Sequence, residues 1–174
     1  MSETRRFAIR RSFLLPLGLL LVLCLALFFI VIAKGEPTGK IIILGCIILP
    51  VAILFLESAF RQAIVDDEGI TVKKFLRRKE LRFAEVTSVD TVLVRRRAFL
   101  TLGAEDDFLI LSNAYADFPA LVKELLARVP TPTVSAETQQ MAAAPPNKST
   151  DIVSCWLAVA LMAFILFIQL GGRF

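Results

Sequence analysis

Three stretches of this chain are too evenly apolar to alternate between a wet and a dry face. Phe13 to Ala33 runs 21 residues without a charge. Ile41 to Phe60 is interrupted only by Pro50 and, near its end, by Glu57, and Ile152 to Leu170 carries no charge. A 21-residue helix covers ~30 Å at 1.5 Å per residue, the thickness of a bilayer's hydrocarbon core. The pattern predicts three membrane spans, at 13–33, 41–60 and 152–170. The polar link Lys34-Gly-Glu-Pro-Thr-Gly-Lys40 predicts that the first two form an antiparallel helical hairpin.

From Ala63 the pattern changes to short runs broken by turn signals. Ala63–Val65 leads into Asp66-Asp-Glu-Gly69, where the glycine is expected to supply a positive φ. Further strands are predicted from Ile70 to near Phe75, around Leu81 and Phe83, over Val89–Val94, through Ala98, Leu100 and Leu102, and over Phe108–Leu111. Short strands at roughly ten-residue spacing predict an antiparallel β-sandwich or partly open barrel. Phe118, Leu121, Val122, Leu125, Leu126 and Val129 then recur at helical spacing, with Asp117 placed to cap and Pro119 suited to the first turn.

The expected fold class is therefore α+β: three transmembrane helices plus a small β domain capped by one C-terminal helix. The expected segments are a basic N-terminus (1–12), a transmembrane hairpin (13–60), a β domain (61–130), a flexible linker (131–151) rich in Pro, Thr, Ala, Gln and Ser, and a third span (152–170).

Composition agrees with membrane embedding. The 174 residues are 56% apolar and the mean hydropathy is +0.71, above soluble domains. Net charge is +4, but residues 1–12 already hold Arg5, Arg6, Arg10 and Arg11 against Glu3. Between Arg61 and Arg128 there are 12 basic and 11 acidic residues, so the basic balance flanks membrane and does not mark a nucleic-acid surface. The N-terminal arginines and Arg61 lie on one side of the spans, and Lys34, Lys40 and Arg173 on the other. The positive-inside bias then predicts a multi-pass protein with N-terminus and β domain cytoplasmic and C-terminus outside. Val31-Ile-Ala33 loosely matches a signal cleavage site, but the apolar run exceeds the ~7–15 residues of a signal core. Arg10-Arg-Ser-Phe-Leu14 resembles a twin-arginine signal; the very hydrophobic span behind it argues for simple insertion.

The residue inventory disfavours an enzyme. Histidine is absent, which removes the commonest general base and metal ligand, and Cys24, Cys46 and Cys155 all fall in spans without ligand spacing. No cofactor, metal or catalytic residue is expected. Glu57 is the one ionisable residue inside a span, which makes it a candidate functional residue; the blander reading is a pair with Arg61, four residues on, at the interface.

Gly69-Ile-Thr-Val72, the basic turn Arg77-Arg-Lys79 and Leu81-Arg-Phe-Ala-Glu-Val-Thr-Ser-Val89 together resemble the bacterial pleckstrin-homology (PH) domains found on small membrane proteins. Leu81, Glu85, Val86 and Val89 stand where that family has its apolar and Glu-Ile positions; Arg82-Phe83 stands where it often has Pro-Trp. The resemblance covers about residues 61–130 and implies a PH-like fold at the cytoplasmic face of the bacterial inner membrane, more strongly than it implies an activity.

In an antiparallel meander alternate turns share one end of the sheet. The turns at Asp66–Glu68 and Glu105–Asp107 are acidic; those at Arg77, Arg78 and Lys79 and at Arg95, Arg96 and Arg97 are basic. An acidic pole and a membrane-facing basic pole are expected. The basic turns would contact anionic lipid headgroups or an acidic protein partner, or simply be solvated. The function this implies is a membrane-anchored interaction module that binds lipid or protein or self-assembles. The alternative is an accessory subunit bound to a larger membrane complex through its spans.

Overall fold

A computed structural model describes residues 4–94, 97–105, 107–144 and 150–171, with the side chain of Thr150 outside that set. The chain is a mixed α+β protein with two compact units, residues 1–10 with 60–148 and residues 11–59 with 149–174.

The second unit holds three long helices, α1 (Arg11–Ala33), α2 (Thr38–Phe60) and α5 (Thr150–Leu170), save for Phe60, the last residue of α2, which belongs to the first unit. All three are long and apolar enough to cross a membrane. In lipid an unbonded peptide group finds no water, and a helix is the form in which a continuous apolar run satisfies its backbone within its own segment. Leu27 and Val31 of α1 are buried with Leu166 of α5, and Met162 and Ile165 pack around them. Between α1 and α2 the chain turns at Gly35 (φ +67°), whose amide donates to Ile32 O while Glu36 N donates to Val31 O. Lys40 closes the turn on Glu36 at 2.7 Å. None of the residues of α2 is buried.

The first unit is built on two open antiparallel sheets. One has the order β1-β2-β3-β4, from Arg5–Ala8, Gln62–Val65, Gly69–Lys73 and Arg78–Arg82; the other is β5-β6-β7, from Ser88–Val94, Arg97–Gly103 and Phe108–Ser112. Alternation sets the inner faces: Ala98, Leu100 and Leu102 of β6 are buried, as are Leu109 and Leu111 of β7 and Ala63 and Val65 of β2. The helix α3 (Phe118–Leu126) buries Phe118, Leu121, Val122 and Leu125. Its cap is Asp117, in the left-handed region at φ 51°, which accepts from Ala120 N at 3.4 Å.

Four details differ from expectation. The basic N-terminus contains a strand: β1 pairs with β2 across the whole α1–α2 insertion, in the register Arg5↔Val65 to Ala8↔Gln62, and buries Phe7 and Ile9. Its Arg5 reaches Glu124 of α3 at 2.6 Å. Arg128 and then Arg5 hold the Glu124 carboxyl below its ordinary range. The segment expected as linker carries α4 (Ala136–Ala143), tied to β5 through Thr138 Oγ1, which donates to Val89 O at 3.1 Å; its Met141 is buried. Strand β3 ends at Lys73, so Phe75 lies in the following turn. Finally, Gly69 is not at positive φ; the carboxylate of Asp66 shapes its turn by accepting from Glu68 N and Gly69 N.

What Gly69 supplies is room. A Cβ there would stand 2.4 Å from Leu81 O and 3.1 Å from Arg82 Cα, both backbone atoms of β4. Gly69→Ala is expected to destabilise the sheet unit by ~1–3 kcal/mol, the usual cost of overpacking. Gly103→Ala meets only the Ser88 hydroxyl, at 2.6 Å, which can rotate away, and is expected to cost less. Thermal unfolding of the two purified variants, read by hydrogen exchange in the sheets, distinguishes them.

Candidate functional site: the hairpin end of the sheet unit

The strand register gathers one row of residues, Ala8, Gln62, Lys73 and Arg78, at one end of the four-stranded sheet. Here β1 runs on to Arg11, the first residue of α1, and Arg61 follows Phe60, the last of α2. Beyond the row projects the four-residue turn Lys74–Arg77, closed by Lys74 N donating to Arg77 O at 2.7 Å.

The second sheet brings another hairpin to the same junctions. Asn113 N donates to Ala98 O, so the end of β7 lies beside the start of β6. The next residues bind β1: Ile9 bridges Tyr115, Arg10 N donates to Ala114 O, and Ala116 N donates to Ala8 O. Tyr115 is buried and also engages Arg61, whose Nε donates to the phenol oxygen at 3.3 Å and whose guanidinium lies 5.7 Å from the ring centroid. Arg61 therefore serves Tyr115 rather than Glu57. With α2 ending at Phe60, Arg61 has left the helical face on which the two residues would meet. Glu57 is exposed on α2 and has no ion pair among the described residues.

The expected basic residues divide by environment. Arg77 lies in the turn; Arg78 and Lys79 lie in β4. Arg78 pairs with Glu80 at 3.1 Å. Lys79 pairs with Asp107 at 2.5 Å and sits 4.7 Å from the Phe108 ring centroid. That hydrogen bond, with one from Phe108 N, holds the Asp107 carboxyl below its ordinary range. The acidic turn before β7 thus meets a basic residue of β4, and the two charge poles are not cleanly separated. The reason is that β4 and β7 pack together. Arg97 opens β6; Arg95 and Arg96 lie outside the described residues.

Two lysines escaped the sequence reading. Lys73 and Lys74 are exposed and, like Arg77, have no carboxylate partner among the described residues. Between them and Arg77 the turn presents Phe75 and Leu76, with Leu76 85% exposed. The signal lay in Lys73-Lys-Phe-Leu-Arg-Arg-Lys79, a basic run interrupted by two large apolar residues. Beside the turn lies a groove of about 360 Å³, lined by Arg61, Lys74, Arg77, Lys79, Phe108 and Ile110 among others. At the other hairpin Val92, Leu93 and Val94 are also exposed. Among the described residues no cluster of three or more Cys, Asp or Glu side chains is arranged to hold a metal ion.

No protein-family profile, curated protein or solved structure matches this chain.

Proposed function

We propose that this chain is a membrane-anchored interaction module rather than an enzyme. Its three spans hold a PH-like β unit at the cytoplasmic face of a bacterial inner membrane, with the hairpin end turned to the lipid surface. The observation that carries this reading is a coincidence of place. The basic, apolar hairpin end is also the end at which the chain passes to Arg11 and from Phe60, the boundaries of two candidate spans. Chain continuity keeps those boundary residues close to where a span meets water. Pairing of β1 with β2 also requires the chain to leave and return on one side, as two crossings by α1 and α2 would. Four antiparallel strands, then three, then a helix support the PH-like reading. The positive-inside bias supports the orientation.

The test uses the full chain in nanodiscs of neutral or anionic lipid. Hydrogen exchange across Lys73–Arg78 is expected to be slower in anionic discs, and Lys73→Glu/Lys74→Glu/Arg77→Glu is expected to abolish the difference. Equal exchange in both discs for the unmodified chain would refute the lipid-facing reading.

A second reading is favoured by one observation: α2 buries none of its residues. An accessory subunit docked through that helix would co-purify in mild detergent with an integral-membrane partner at fixed stoichiometry, and the lipid-facing module would not.

A further inference from the structure

We infer that the β3–β4 hairpin is a membrane-inserting element. Phe75 and Leu76 enter the interfacial layer of the bilayer that holds the spans, and Lys73, Lys74 and Arg77 bind its anionic headgroups. This rests on the lipid-facing reading above and goes further, because surface attraction alone requires no side chain to leave water.

The tip is apolar where a solvated turn would be polar. Gly, Pro, Asn, Asp and Ser dominate turns because they fit tight backbone geometry or bond it with their own side chains. Lys74-Phe-Leu-Arg77 has none of them. Leu76, at 85% exposure, is more open than Leu15 (70%) of α1 or Leu170 (72%) of α5, residues of spans whose apolar surface calls for lipid. A lone exposed leucine is ordinary, but this one has a half-exposed phenylalanine beside it. The Phe75 ring centroid lies 5.4 Å from that of Phe60, the last residue of α2. Phe60 belongs to the same unit as the tip, and chain continuity places it where a candidate span would leave the bilayer, the depth at which aromatic side chains concentrate in membrane proteins.

The charges fit the same occupant. Arg78 and Lys79, on the strand, are matched by Glu80 and Asp107; Lys73, Lys74 and Arg77, around the tip, are not matched by any described carboxylate. Each cation close to an anionic surface shifts the equilibrium by up to roughly fivefold. Aliphatic stems of lysine and arginine can follow Phe75 and Leu76 downward while their charged ends stay at the headgroups. The groove beside the turn continues the pattern, its lining combining Lys74 and Arg77 with Phe108 and Ile110. A lipid phosphate could meet the cations there while its chain lies along the apolar residues. An acidic protein would satisfy the charges but leave the tip in water. A second copy of the chain would bring like charge to like.

The chain has one tryptophan, Trp156, so Leu76→Trp in a Trp156→Phe background places a single fluorescent reporter at the tip. In nanodiscs its emission is expected to be blue-shifted and quenched by lipids brominated near the glycerol. A Glu68→Trp control at the opposite end of β3 is expected to show neither effect. Because tryptophan itself favours interfaces, a second variant leaves none at the tip. Phe75→Ser/Leu76→Ser is expected to speed exchange across Lys73–Arg78 in anionic discs roughly tenfold, equivalent to ~1.4 kcal/mol. Slow exchange at Leu100 and Leu111 confirms that each variant folds.

A tip reporter that emits and quenches like the Glu68 control overturns the insertion. So does a serine variant that exchanges like the unmodified hairpin. If charge reversal still removes the dependence on anionic lipid, the surface reading survives without insertion; if it does not, both fall.

Discussion

Deleting Thr4–Ile9 is expected to unfold the sheet unit while leaving the three long helices folded. The segment is six residues long, but it is an integral strand. Phe7 and Ile9 are both buried, and full burial of such side chains stabilises by about 1.5–3 kcal/mol each. The deletion also removes four residues of pairing with β2, the bond from Ala116 N to Ala8 O at 2.7 Å, and the Arg5–Glu124 ion pair. It bares the inner edge of β2, whose Ala63 and Val65 are fully buried. Together these losses approach the ~5–15 kcal/mol that stabilises a typical domain. Limited proteolysis in nanodiscs checks this: cleavage should spread through residues 62–129 while the helices stay protected. An unchanged digestion pattern would show β1 to be dispensable. A fragment beginning at Arg61 lacks β1 by construction and is expected to fail in the same way.

How much of this was legible in the sequence depended on how far each element's signal extended. The long helices are legible because their apolar runs are uninterrupted over the length that crosses a membrane, and α3 because its apolar residues repeat over three turns. Strand β1 has only its own Phe7 and the following Ile9 to alternate, sits among arginines, and finds its partner beyond a 50-residue helical insertion (11–60), so no local pattern reveals it. Helix α4 is hidden for a different reason. Its packing depends on Met141 and on the hydroxyl of Thr138, a polar residue that becomes buried because its oxygen finds Val89 O. In the Lys73–Lys79 run, composition identifies a basic hairpin but leaves the phase of the turn open. A shift of two residues carries Arg78 and Lys79 into the strand and puts Phe75 and Leu76 at the tip. Which cations were neutralised was not legible at all, because Asp107 reaches Lys79 only through the packing of β7 on β4.

The same junction makes Tyr115 the side chain whose truncation should cost most, and it can be followed directly. Tyr115 is fully buried; its backbone carbonyl accepts from Arg10 Nε at 3.3 Å, and its phenol oxygen accepts from Arg61 Nε at 3.3 Å. One residue thus holds the segments that flank both α1 and α2. Tyr115→Ala is expected to destabilise the sheet unit by ~3–5 kcal/mol, as for other large aromatic truncations. Tyr115→Phe keeps the ring and loses only the hydroxyl, for about 1 kcal/mol. Hydrogen exchange of β6 and β7 checks that ranking, and equal effects would show that the ring is not the anchor. Burial pushes the Tyr115 phenol above its ordinary value of 10.0, and nearby Arg61 opposes that shift. The unfolded chain therefore releases this proton at lower pH than the folded one. The stability linked to the phenol is complete below pH 10.0 and is lost as pH rises from there through the folded value. Tyr115 is the only tyrosine, so tyrosinate absorbance reports it alone. Titration is expected to start above the free-tyrosine range and to move higher still in Arg61→Ala, because the cation that favours the phenolate is gone. A downward move in that variant would mean that Arg61 does not act on the ring.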